Sequence, residues 1–137
     1  MAVELEPLNI IYYEKEDGTM PAKEFIESMD EKLQAKMKLA VDMLKVRGRW
    51  LRLPHSKNLE NGIYELRAQI GTNAARVLYF FVTGNNAVLT NGFIKKTQKT
   101  PVNELNRAKR YMRDYLNRVS RKEKSNYDNE SKKRNAD

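Results

Sequence analysis

The sequence contains no cysteine, which excludes disulfide frameworks, thiolate zinc sites, iron–sulfur clusters and cysteine nucleophiles together. Its single histidine, His55, rules out a pair of histidines dividing acid and base work. No apolar run approaches the roughly 20 residues of a membrane span, and five carboxylates in the first seventeen positions do not fit a secretory leader. The six glycines stand singly at turn-like positions, so neither a phosphate-binding loop nor a dinucleotide fingerprint is present and no cofactor is expected. Acid is missing from two long stretches, residues 43–59 and 66–103. The second thereby lacks the carboxylates that hold magnesium, manganese or calcium, and no metal site is expected there. These absences together predict a soluble, cytoplasmic protein with no membrane partner.

What is present is positive charge. The 137 residues carry 26 bases against 18 acids, a net of +8, and the length suits one domain. The charge is polarised: residues 1–42 hold ten acids and five bases, leaving 21 bases and eight acids in residues 43–137. Such an excess suggests a polyanionic partner.

Residues 8–13 form an apolar and aromatic run of strand character, closed by the Glu-Asp-Gly-Thr turn at 16–19. Pro21 suits a first helical position, and Asp30 suits the cap of a second helix. Leu33, Met37, Ala40, Val41 and Leu44 give that helix its apolar face, and Gly48 ends it. Residues 50–58 read as a loop. Three strands follow at 63–68, 74–82 and 87–94, separated by Gly71-Thr72-Asn73 and Gly84-Asn85-Asn86, which prescribe an antiparallel meander. Thr100 and Pro101 open a final helix, with an apolar stripe from Val102 to Val119 and a basic face of Arg107, Arg110, Arg113, Arg118 and Arg121. Beyond Ser120 the composition turns polar, and residues 121–137 read as a basic disordered tail. The expected fold is α+β: a small antiparallel sheet of about four strands, with an N-terminal helical hairpin and a C-terminal helix packed on it, as one domain over residues 1–120.

Centring the two hairpin turns places Arg67 opposite Arg76, and Arg76 opposite Phe93, as one row across one face of the sheet. Like charges facing each other across strands are destabilising, which invites a reason for keeping them. One reason is a phosphate gripped between guanidinium forks. The alternative is pairing with a carboxylate such as Glu65 or Glu60. Lys95 and Lys96 at the exit of the last strand, and His55 and Lys57 before the first hairpin, are placed to converge on the same edge.

The segments "NGIYELR", "ARVLYFF", "NGFIKKTQKTP" and "ELNRAKRYMRDYL" resemble the phage-derived, HigB-like branch of the RelE/ParE superfamily of bacterial type II toxins. The resemblance covers residues 8–119 and is most specific over 93–115. It implies the same sheet-and-helix fold, a ribonuclease that cuts messenger RNA in the ribosomal A site, and a helix-turn-helix antitoxin as partner, with DNA contacted only through the antitoxin complex. Arg67 and Arg76 match the family's basic positions on the two strands, Lys95 and Lys96 the basic pair after the last strand, and His55 and Lys57 its basic residues before the hairpins. Phe93 stands where some members have a base-stacking tyrosine, and can stack but not transfer a proton.

A metal-free ribonuclease can use the substrate's 2′-hydroxyl as nucleophile, leaving a 2′,3′-cyclic phosphate and a 5′-hydroxyl. In that scheme Arg67 and Arg76 stabilise the phosphorane, Lys95 or Lys57 withdraws the proton, and His55 or Lys96 protonates the leaving group. Phe93, Lys99, Arg107, Arg110 and Arg113 are candidates for RNA contact. Two other functions compete: a non-enzymatic, ParE-like gyrase inhibitor, and a catalytically inactive module that binds RNA or the antitoxin.

Overall fold

A computed structural model describes residues 6–96 and 99–134. Its elements are β1 (Asn9–Tyr12), α1 (Pro21–Ser28), α2 (Glu31–Arg47), a 3-10 turn (Gly48–Trp50), β2 (Ser56–Asn58), β3 (Ile63–Ile70), β4 (Asn73–Val82), β5 (Asn86–Lys95) and α3 (Val102–Arg134). The five strands form one sheet in the order β1-β5-β4-β3-β2. The fold is the α+β arrangement of sheet, N-terminal helices and C-terminal helix that the sequence predicts.

Two features of the sheet go beyond that expectation. β1 joins β5 in parallel, Ile11 opposite Val88, so the sheet is mixed rather than antiparallel throughout. The segment expected to be a loop contributes β2, three residues paired antiparallel to β3 with Lys57 opposite Glu65. Its sequence, Ser-Lys-Asn, has no strand propensity of its own. Tertiary contacts hold it: Ser56 is buried and its hydroxyl meets the Tyr79 hydroxyl.

Helices α1 and α2 cover one face, where Ile26, Met37 and Leu44 pack on Leu66, Val77 and Leu89. The Asp30 side chain accepts the Leu33 N–H at 2.9 Å, which caps α2 as predicted. Gly92 lets α1 approach, because a Cβ there would lie 2.2 Å from Phe25 Cδ1. On the other face α3 packs Ala108, Leu105 and Met112 against Ile63, Leu78 and Phe93. Further along α3, Asp114 is contacted by the Tyr13 hydroxyl and by Arg118, while Tyr111 stacks on Tyr13 at 4.6 Å.

Sequence reading ends α3 near Val119 and starts a disordered tail at residue 121; the helix instead continues to Arg134. Residues 121–130 are exposed throughout, so the composition correctly signals the lack of a core contact. A helix already nucleated on the sheet propagates without one, and this segment contains neither glycine nor proline to stop it. Residues 135–137 of the expected tail lie outside the described residues.

Candidate active site

Side chains alternate across a strand, so residues two apart share a face and cross-strand partners lie side by side. On the α3 side of the sheet this rule brings together cationic side chains from four strands. Lys57 of β2 stands opposite Glu65 of β3. Arg67 of β3 stands opposite Arg76 of β4, which stands opposite Phe93 of β5. Lys95 follows Phe93 by two positions. The row Arg67–Arg76–Phe93 is the one the turn positions predict.

The carboxylate between the arginines belongs to the protein. Glu65 Oε1 lies 3.2 Å from Arg76 Nε and 3.7 Å from Arg67 Nε. Its other oxygen accepts the Thr100 hydroxyl at 2.5 Å, which ties the start of the last helix to β3. The Thr100 hydroxyl, expected to open α3, is directed to Glu65, and α3 begins at Val102. Glu60, the other acid considered, pairs with Lys109 at 3.5 Å. The reason for two facing arginines is therefore internal: both are held by one buried glutamate.

Burial separates the roles of the two. The Arg76 side chain is 3% exposed and the Arg67 side chain 26%. Arg76 Nη1 donates to the Ala75 carbonyl at 2.9 Å, whereas its Nε makes no directed hydrogen bond and meets Glu65 only as an ion pair. Burial pushes the Arg76 guanidinium below its ordinary range, Arg67 adds to the effect, and Glu65 opposes it. Arg67 is the guanidinium that reaches solvent.

Lys95 is held below the usual lysine range, first by desolvation and then by Arg76, with Arg67 and Lys57 adding and Glu65 opposing. Charges on β2, β3 and β4 thus all act on this lysine of β5. One carboxylate cannot neutralise four cations, so the face keeps an excess of positive charge.

The remaining candidates separate. Phe93 is 8% exposed and packs against α3, so its ring is part of the core and is not offered to a base. The row prediction fixed its face without showing that a helix crosses it. Arg107 is engaged by Glu104 at 3.1 Å, and Glu104 also accepts from the buried Asn91 amide at 3.0 Å. Arg110, Arg113, Lys96 and Lys99 are exposed. His55 lies beside the end of β2, where its carbonyl accepts the Arg67 N–H at 2.9 Å, and its side chain lines a cleft with Arg67 and Arg76. Among the described residues no three His, Asp or Glu side chains gather as metal ligands do. No described helix is long and apolar enough to cross a membrane.

Glu65 has the largest structural role at the site that its type alone would not announce. Its position two residues before Arg67 on an alternating strand carries the signal, since that spacing puts both on one face. No curated protein matches the chain. A family model for phage-derived Gp49-like proteins does match, over residues 24–113, from α1 through the four strands of the cationic face into α3. The chain therefore belongs to the Gp49-like family of phage-derived proteins (DUF891), which is associated with toxin–antitoxin systems.

Proposed function

We propose that the protein is the toxin of a type II toxin–antitoxin pair and acts as a metal-independent endoribonuclease on messenger RNA in the translating ribosome. The observation that carries this reading is the cationic face: Lys57, Arg67, Arg76 and Lys95, from four adjacent strands, gathered around one buried carboxylate. A rigid sheet holding several cations is suited to a polyanion whose charge increases in the transition state.

In the proposed reaction the RNA 2′-hydroxyl gives its proton to the neutral amine of Lys95 and attacks the adjacent phosphorus. The P–O2′ bond forms, the P–O5′ bond breaks, and the 5′-oxygen takes a proton from the Lys57 ammonium. The products are a 2′,3′-cyclic phosphate and a 5′-hydroxyl. Arg67 faces the phosphorane oxygens, its solvent access allowing a direct contact. Arg76 is a positioning residue that acts through Glu65. Lowered basicity at Lys95 favours the amine form that a general base requires. Lys96, Lys99, Arg110 and Arg113 add sequence-independent attraction for RNA. The proposed neutralising partner is a helix-turn-helix antitoxin, through which alone the pair contacts DNA.

The test is induced expression of the wild type, Arg67→Gln and Lys95→Gln in cells, with growth followed and the 5′ ends of a reporter transcript mapped. Cuts within the translated region are expected, lost in both variants and absent when initiation is blocked. Growth arrest with intact transcripts and a DNA-damage response would replace this reading with gyrase inhibition. Harmless expression of soluble protein would replace it with an inactive binding module.

A further inference from the structure

β2 ends before β3 does. The last contact between them is the Arg67 N–H to the His55 carbonyl, so the edge of β3 from Ala68 onward runs past its neighbour. In an antiparallel ladder backbone groups alternate in direction. The N–H and C=O of Gln69 therefore point the same way as those of Arg67, outward past the end of β2. A cleft of about 250 Å³ lies along this edge. Its walls are the apolar side chains of Leu39 and Met43 on α2 and Pro54 on the approach to β2. Arg67 and Arg76 border it on the side of the cationic face, and Lys36 adds a further cation.

We infer that this cleft is a nucleobase pocket, holding the base of the nucleotide whose phosphate sits at Arg67. The inference rests on the nuclease reading for the location of that phosphate. Three properties select the ligand. The volume falls below the roughly 300 to 1,000 Å³ of pockets for larger ligands, which suits one base. Aliphatic side chains and a proline pack by dispersion on the face of any base, and Leu39, 56% exposed, leaves that surface open to a ligand. The outward N–H and C=O of Gln69 offer a donor and an acceptor to a base edge, its side-chain amide being turned to the Gly71 carbonyl at 3.0 Å, and the surrounding cations complement the attached phosphate. Gln69 and Leu39 are on this view specificity-determining residues, distinct from the groups that carry the reaction.

The test uses the full chain and a binding readout. The four nucleoside 3′-monophosphates and inorganic phosphate are titrated separately while the Met43 and Leu39 methyl signals and the Gln69 side-chain amide are followed by NMR. Nucleotides are expected to shift all three, in a base-dependent manner, whereas phosphate shifts none of them. Leu39→Ala, a change at an exposed position that adds no charge, is expected to weaken nucleotide binding about fivefold and to leave phosphate binding unchanged. Nucleotides that perturb the same signals as phosphate, that bind Leu39→Ala equally, or that fail to bind at millimolar concentration would each overturn the pocket. Failure of the nuclease reading shows itself separately, as uncut transcripts in cells alongside nucleotides that still occupy the cleft.

Discussion

The Glu65 carboxylate and the Arg76 guanidinium, on neighbouring strands, meet at 3.2 Å with side chains only 2% and 3% exposed. Neither is affordable without the other in a sheet interior, because an ion left unpaired there loses its hydration with nothing in exchange. Arg67 and Thr100 then attach to the same glutamate, so a buried pair sets the position of a solvent-facing guanidinium and of the start of α3.

Removing one partner of this pair is expected to cost about 3 to 5 kcal/mol, in Glu65→Leu or Arg76→Met alone. The double variant is expected to lose much less than the sum, since two apolar side chains replace two desolvated ions. Urea unfolding of all four proteins checks it, and an additive double variant would show that the two residues do not act together. The same reasoning makes Arg76 a poor choice for testing catalysis, because loss of toxicity there would follow from loss of the fold.

Gly92→Ala places a methyl group within 2.2 Å of Phe25 Cδ1. Overpacking of this kind costs about 1 to 3 kcal/mol. Combining it with Phe25→Leu is expected to recover part of the loss, and thermal unfolding of the single and double variants measures the recovery.

The linkage at Lys95 has a definite sign. Its folded pKa lies below the unfolded value, so the unfolded chain binds the proton more tightly, and stability rises with pH from the folded value toward the ordinary lysine value near 10.5. Lys95→Met is therefore expected to be more stable than the wild type at neutral pH, by a margin that shrinks as pH approaches the ordinary lysine range. Denaturation midpoints at several pH values check the trend. Cleavage, in the reading proposed above, would rise with pH through a limb below the ordinary lysine range, and Lys95→Met would lack that limb.

Asp114 shows the opposite case. The Tyr13 hydroxyl first and Arg118 next hold its carboxyl below the usual range, so it contributes stability above the unfolded value near 3.8 that is lost as pH falls through the folded value. Tyr13→Phe is expected to cost about 0.5 to 1.5 kcal/mol at neutral pH, since the Asp114 carboxylate is partly open to solvent. The difference from the wild type should narrow in strong acid, as unfolding at pH 7 and pH 2 would reveal.

How much of this was legible in the sequence depends on the range of the interaction. The helix capped by Asp30 and the register of the Arg67–Arg76–Phe93 row follow from local patterns and turn positions, and the structure agrees with both. β2 and the parallel pairing of β1 with β5 depend on contacts with distant residues, which no local pattern encodes. At the site, the shared face of Arg67, Arg76 and Lys95 is readable from alternation and turn positions, whereas Lys57 joins it through β2, which the sequence reads as a loop. The burial of Arg76 and Phe93 is not readable, because it depends on how α3 and the segment before it cross the sheet.

Deleting residues 121–137 tests the other end of α3. Because residues 121–130 bury nothing, the truncated chain is expected to unfold within about 0.5 kcal/mol of the full one. Its helical circular dichroism should fall by the share those residues contribute. A large loss of stability would indicate that this part of the helix supports the domain.

The parallel pairing of β1 with β5 brings the ninth residue beside the eighty-sixth. During synthesis the first strand must therefore wait, unpaired, until nearly the whole sheet has been made. The cationic face is equally late, since Lys95 ends β5 and Thr100, the anchor of Glu65, comes later still. A chain interrupted before these positions would hold Arg67 and Arg76 but neither Lys95 nor the Thr100 anchor of Glu65. The cationic face is therefore complete only once residue 100 has been added.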